Sequence, residues 1–381
     1  MHLIPMQRPD YTVPENATSN DLRQIAVRAM LDILSVPWTP DKFYSYKNRF
    51  DWTHKTFEYP VGLLYRGMPY ANAHTGIFHW MKYYDQKTGI MSFPGDGQTW
   101  GETLGTVCAD SILWAWSTVC NSIGAATYTF HMVPKYNFLP VGDYERPCNM
   151  DSFREENNTT DDICKNNGLD IMSKAYAEML PADAVVSTSA GHILMAMRAP
   201  EVAYDAEGNI DPENSFLYIY DQSGGTQTFF HEIEEDGQIA HYVGHTDLRY
   251  KFTTLFTKGY IPITTAEFKG LKPYSKPELT VKGTCSSIED IKSLKIRTNY
   301  PLCTLEAVIL DKDENESRAA LALYRKGDVQ FATGMEGYTY TTDALWETGL
   351  EKTLSTHKGA TFVLRADIST GNEYELCRFT I

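Results

Sequence analysis

Three residues far apart in this sequence have the types and settings needed to split an amide bond. A thiol hydrolase needs a thiolate of lowered pKa, a base that shares its proton, and a group that orients the base. Cys108 opens the run Cys108–Ile123, in which Cys108, Ile112, Ala115 and Val119 fall on one face at helical spacing. Gly124 follows as a stop. A cysteine in the first turn of a helix faces unpaired N–H groups that favour its negative form. Gly101 and Gly105, just before it, let the backbone approach a substrate, and the N–H of Cys108 is placed to bind an oxyanion. The alternative is a packing cysteine in a buried helix.

His192 follows Gly191 at the start of the apolar run His192–Met197, a rigid strand with its first residue at an opening. The orienting group is expected on the next strand, where Ser215–Tyr220 leads into Asp221 and Gln222. Successive strand residues point to opposite faces, so only one of these two can meet His192. Asp221 is preferred because a carboxylate stabilises an imidazolium, with Gln222 as the alternate. The competing reading makes Asp221 a strand terminator that opens a turn.

Other elements must hold these residues in place. Residues 17–36 read as a helix capped by Ser19, Asn20 or Asp21, with an apolar stripe from Leu22 to Ile33 and Pro37 as its end. Residues 38–100 are aromatic and turn-rich, residues 143–170 read as a polar excursion, and a second helix is expected over 169–179. Beyond a boundary at Lys272–Pro277, short alternating segments recur from Leu279 to Phe379, the pattern of a small antiparallel sandwich. The acidic runs at Asp205–Asp211 and Asp311–Ser317 read as solvated turns and not as calcium loops.

At these residues the chain resembles the NlpC-type cell-wall cysteine peptidases, a papain-like superfamily. Gly67-Met-Pro-Tyr70 is similar to the family's Gly-x-Pro-Tyr segment. Cys108 with Ser111–Trp116 is similar to its nucleophile helix. Leu180-Pro-Ala-Asp183, followed by Gly191 and His192, is similar to its Pro-Gly-Asp segment and base histidine. Where the family carries Asp-Cys-Ser-Gly, this chain has Val107-Cys108-Ala109-Asp110.

The resemblance implies an α+β fold: a papain-like catalytic domain over 61–272, its nucleophile helix packed on an antiparallel sheet. Residues 1–60 would form a helical and aromatic segment packed on that domain. An all-β Ig-like sandwich would follow over 277–381. Cys108 would be the nucleophile, His192 the base and Asp221 the orienting group. Tyr70, Trp100, Trp114 and Gln222 would contact substrate, with Tyr65 also lining the cleft. The implied activity is amide hydrolysis in bacterial peptidoglycan stem peptides or cross-links. The resemblance covers roughly residues 60–225; the C-terminal domain lies outside it and is expected separately to be an attachment or wall-binding module. A papain-like thiol transferase or protein peptidase would use the same triad. A non-catalytic binding or adhesion protein on the same scaffold is the reading from another class.

Composition narrows the partners. A formal charge of -15 opposes binding to nucleic-acid phosphates. No apolar stretch is long enough to insert in a membrane. Seven cysteines, an odd number, leave at least one thiol unpaired within the chain, and none lies in a pattern with zinc spacing. The expected chemistry needs neither metal nor organic cofactor. A wall-acting enzyme belongs in the extracellular space or the cell envelope, although Met1–Met6 carries no secretory pattern.

Overall fold

Thr18 and Asp21 satisfy each other's backbone donors in a capping box, and a helix follows over Ser19–Ser35. The cap thus falls one residue before the expected ones, because this pairing satisfies two orphan N–H groups at once. Leu22, Ile25, Ala26, Ala29, Met30, Ile33 and Leu34 form its buried stripe. In this computed structural model, the structure describes residues 4–47, 56–94, 99–123, 129–134, 138–146, 159–223, 231–235, 237–325 and 337–381. Among them the protein is mixed α+β, with eight α-helices, several mostly antiparallel sheets and no closed barrel. The chain divides into two compact units: residues 1–9 with 13–274, and residues 10–12 with 275–381.

The first unit is organised by a six-stranded antiparallel sheet. Its strands lie in the order His245–Lys251, Phe216–Asp221, His192–Ala196, Ala184–Ser187, Ile261–Thr265 and Phe138–Pro140. The helix Cys108–Trp116 packs on the His192–Ala196 strand and on the first helix. It stops well before the expected Ile123. The Ser117 and Thr118 hydroxyls donate to the carbonyls of Trp114 and Ala115, at 2.9 and 2.7 Å, and so satisfy groups of the last turn. A further helix, Thr160–Ala177, breaks at Gly168 (φ 79, ψ 165). Residues 160–167, expected in a polar excursion, are therefore helical, started by a capping box between Thr159 and Asp162.

The aromatic segment builds a second part of this unit. The strand Pro37–Pro40 joins Leu64–Arg66, and Tyr44–Lys47 pairs with Thr56–Tyr59. Trp38 stacks on Tyr65 at 4.7 Å, and Tyr44 stacks on Phe93 at 4.0 Å. Each such pair adds about 0.5–1.5 kcal/mol beyond area burial. Much of the tyrosine content is therefore core in this unit. Tyr65, read from sequence as a cleft residue, is 1% exposed and belongs to this cluster.

The second unit holds a four-stranded antiparallel sheet, Glu316–Leu323, Leu302–Leu310, Thr361–Ile368 and Glu373–Thr380. Beside it in the chain is a three-stranded antiparallel sheet, Leu279–Lys282, Lys295–Thr298 and Tyr338–Thr341. It is not all-β: three helices, Ile288–Lys292, Asp343–Trp346 and Leu350–Ser355, interrupt the strands. Segments of 4 to 6 residues are too short for a 3.6-residue period to declare itself. Cys285 and Cys377 form a disulfide in this unit. In both acidic turns a carboxylate, Asp205 or Asp311, accepts backbone N–H bonds from its own loop.

Gly67 aims the segment that carries Tyr70. It takes φ +84, and a Cβ there would lie 2.5 Å from the Leu34 carbonyl oxygen. Gly67→Ala should destabilise the protein by roughly 1–3 kcal/mol. Denaturant unfolding checks this, and an unchanged midpoint would show that the turn relaxes freely.

Candidate active site

Cys108 is the first residue of its helix, behind Val107, whose side chain offers no cap. The first helical rung is Ser111 N–H to Val107 O, so the N–H groups of Cys108, Ala109 and Asp110 have no intrahelical acceptor. These donors concentrate positive potential at the thiol. The helix start is fixed by a backbone tie to the Tyr70 segment. Thr106 N–H donates to Pro69 O at 3.0 Å, and Thr75 N–H donates to Gly105 O at 3.2 Å. A Cβ on Gly105 would stand 2.3 Å from Pro69 O. That glycine therefore serves chain-to-chain approach and not, as expected, approach to a substrate.

His192 opens its strand with its side chain 21% exposed. The observed register pairs Met195 with Tyr220 and Ala196 with Ile219. Extended to the strand end, it puts Asp221 on the same face as His192, one diagonal step away, and turns Gln222 to the other face. His192 Nε2 lies 2.9 Å from Asp221 Oδ1, and Ser223 Oγ donates to Asp221 Oδ2 at 3.1 Å. The charge of Cys108 acts on the same imidazole and on the Tyr70 phenol. With Nε2 taken by Asp221, Nδ1 is the nitrogen left for the thiol.

The electrostatics of this cluster favour charge separation. Burial opposes a charge on His192. The negative charge of Cys108, the hydrogen bonds to Asp221 and Cys108, and the Asp221 carboxylate outweigh it and push the imidazole up to about 10. Burial, then the charges of Cys108 and Asp221, hold the Tyr70 phenol well above its ordinary value. Tyr70 is thus a neutral donor at physiological pH.

The remaining residues singled out from sequence divide in their roles. Trp100 packs edge-on against Tyr70, with ring centroids 5.3 Å apart. Trp114 donates from Nε1 to His74 O at 3.1 Å and packs against His79, so its visible partners belong to the His74–His79 segment. Gln222 is 1% exposed and donates from Nε2 to Met68 O at 3.0 Å and Thr106 O at 3.3 Å. It ties the Tyr70 segment to the Cys108 segment and takes no part in holding His192. Asp183, from the Pro-Ala-Asp segment, makes a 2.7 Å ion pair with Arg23 in the core. Sequence reasoning missed one feature: His74 Nδ1 lies 2.9 Å from Asp110 Oδ2, a second imidazole–carboxylate pair, on the Cys108–Trp116 helix. The signal was an acid two residues after Cys108. First-turn acids are common enough on helices that it did not stand out.

No family model matches this chain, and neither the curated proteins nor the solved structures contain a significant match to it.

The His192 proton supplies a direct test of assembly. A nuclear magnetic resonance titration should show it leaving near pH 10, at the raised value. Cys108→Ala should lower that midpoint by roughly two units, because the largest favourable cause is removed. The unfolded value is about 6.5. The proton therefore stabilises the fold fully below that pH, and the contribution is lost as pH rises through about 10. A midpoint near 6.5 in both proteins would mean that the thiol and imidazole do not interact.

Proposed function

We propose that this protein is a cysteine hydrolase of papain-like, NlpC-type design that cleaves an amide bond in peptidoglycan stem peptides or cross-links. One observation carries the reading: a single imidazole bonds Asp221 through Nε2 at 2.9 Å and feels the charge of Cys108, which opens a helix. The order of the Gly67–Tyr70, Cys108 and Asp183–His192 segments supports the NlpC type and the wall substrate. So does Ala182, which takes the left-handed φ of 69 at the position where the similar Pro-Gly-Asp segment has glycine.

His192 takes the Cys108 proton, and the thiolate attacks the substrate carbonyl carbon. The tetrahedral oxyanion is held by the N–H of Cys108 and the Tyr70 hydroxyl. The imidazolium gives its proton to the leaving amine, which departs and leaves a thioester. Water, deprotonated by His192, then attacks the thioester and restores the thiol. Asp221 fixes the imidazole tautomer and stabilises its charge throughout. Trp100 supports the Tyr70 wall of the pocket.

The second unit acts in this proposal as an Ig-like wall-attachment domain, and the protein works outside the cytoplasm. Its disulfide belongs to an oxidising compartment. No helix among the described residues is long and apolar enough to cross a membrane.

Hydrolysis of defined stem peptides, followed by mass spectrometry, tests the chemistry. Cys108→Ala and His192→Ala should each lower kcat/KM by roughly 10³-fold or more, and Asp221→Ala by about 10²-fold. Turnover that survives Cys108→Ala would end the hydrolase reading. Co-sedimentation of the whole protein with purified wall sacculi tests attachment; recovery entirely in the supernatant would remove that role from the second unit.

A further inference from the structure

The His74–Asp110 pair lies outside the triad just described. Asp110 sits two residues after Cys108 in the first turn of the same helix and is wholly buried. A step of two residues along a helix separates Cα atoms by about 5–6 Å. Its Oδ2 meets His74 Nδ1 at 2.9 Å, and its Oδ1 finds no hydrogen-bond donor among the described residues. A buried carboxylate with an orphaned oxygen is costly. The Asp110 side chain points about 200° around the helix from that of Cys108, but a buried negative charge in the same turn still opposes thiolate formation. His74 is held for its part: it takes the left-handed φ of 54, and its carbonyl accepts the Trp114 indole N–H at 3.1 Å.

We infer that His74 is an imidazolium held against Asp110, and that its charge cancels the buried carboxylate so that the Cys108 thiolate can form two residues away. His74 and Asp110 are in this sense positioning residues, acting on charge and not on substrate. The inference deepens the hydrolase reading and rests on it.

The other charged or titratable groups around the two side chains have separate tasks. His192 and Asp221 face Cys108 from the sheet, and Tyr70 faces it from its own segment. The Tyr260 hydroxyl, raised by its burial, also feels the charges of Asp221 and Cys108. On the first helix, Arg23 is engaged by Asp183. His79 uses Nδ1 to accept the Gly76 N–H, at 3.1 Å. His74 is the imidazole that the structure sets within hydrogen-bonding distance of Asp110.

Iodoacetamide alkylation of Cys108, followed from pH 5 to 9 on the full chain, tests this without a known substrate. His74→Asn keeps a residue that tolerates left-handed backbone and removes the imidazole. It should move the thiolate limb up by about 1–2 units and slow labelling at pH 7 roughly tenfold or more. Asp110→Asn should label at least as fast as wild type at every pH. The double variant should recover the rate that His74→Asn lost, which a merely structural role for His74 would not produce. A His74→Asn profile that superimposes on wild type overturns the inference, as does a double variant no faster than His74→Asn. If His74→Asn fails to fold, Asp110→Asn decides alone, and labelling tenfold slower than wild type overturns the inference. In all these cases fast, His192-dependent labelling of the wild type leaves the hydrolase reading standing. Slow wild-type labelling that ignores His192→Ala overturns that reading and the inference with it.

Discussion

An imidazole can serve a thiol and a carboxylate together only if both ring nitrogens are aimed at once, and in the proposed triad that requirement falls on the first unit. The carboxylate comes from an antiparallel neighbour strand, where register and pleat decide which side chains share a face. Asp221 meets His192 because of its parity; one residue of slip would present Gln222 instead. The thiol comes from a helix packed on the His192 strand, so its position depends on how that helix starts. Neither partner is local in sequence to His192. The geometry is a property of the sheet and of the Cys108–Trp116 helix laid on it.

The start of that helix is in turn fixed by backbone. Three ties meet at residues 105–106: the Thr106 bond to Pro69, the Thr75–Gly105 pair, and the Gln222 side chain reaching Met68 and Thr106. Gln222 is thus the structural complement of Asp221. From adjacent positions on one strand end, one side chain holds His192 and the other holds the loop that leads to Cys108. Rigid support of this kind keeps a site within the few tenths of an ångström that a proton shared across three groups requires.

What the sequence made legible was local. The helix start at Cys108, the glycine before His192 and the alternation of Asp221 and Gln222 follow from short-range rules, and the structure places those elements there. What escaped was either reciprocal or distant. Thr18 caps the first helix only because Asp21 answers it. The 160–167 helix is hidden by polar residues and by the Gly168 break. Trp114 and Tyr65 look like groove aromatics in a sequence, yet an indole N–H and a stacking partner commit them to other segments. The His74–Asp110 pair joins positions 36 residues apart with no shared pattern. Its meaning appears only when Asp110 is seen to be fully buried.

Burial gives the charge balance of the site its particular form. Two carboxylates are each met by an imidazole at 2.9 Å, and the charge of Cys108 bears on one of those imidazoles. The chain's net charge of -15 gives no help to a thiolate. At physiological ionic strength, however, exposed charges fade beyond about 8 Å. The near pairs therefore decide which protons stay. In the inferred arrangement each imidazole bonded to its own carboxylate forms a neutral unit, one on the sheet and one on the helix. Between two neutral units the unpaired N–H groups of the helix start become the dominant field at the sulfur. A single unmatched carboxylate would cancel that advantage, which is why the two pairs are best understood as one electrostatic arrangement around Cys108.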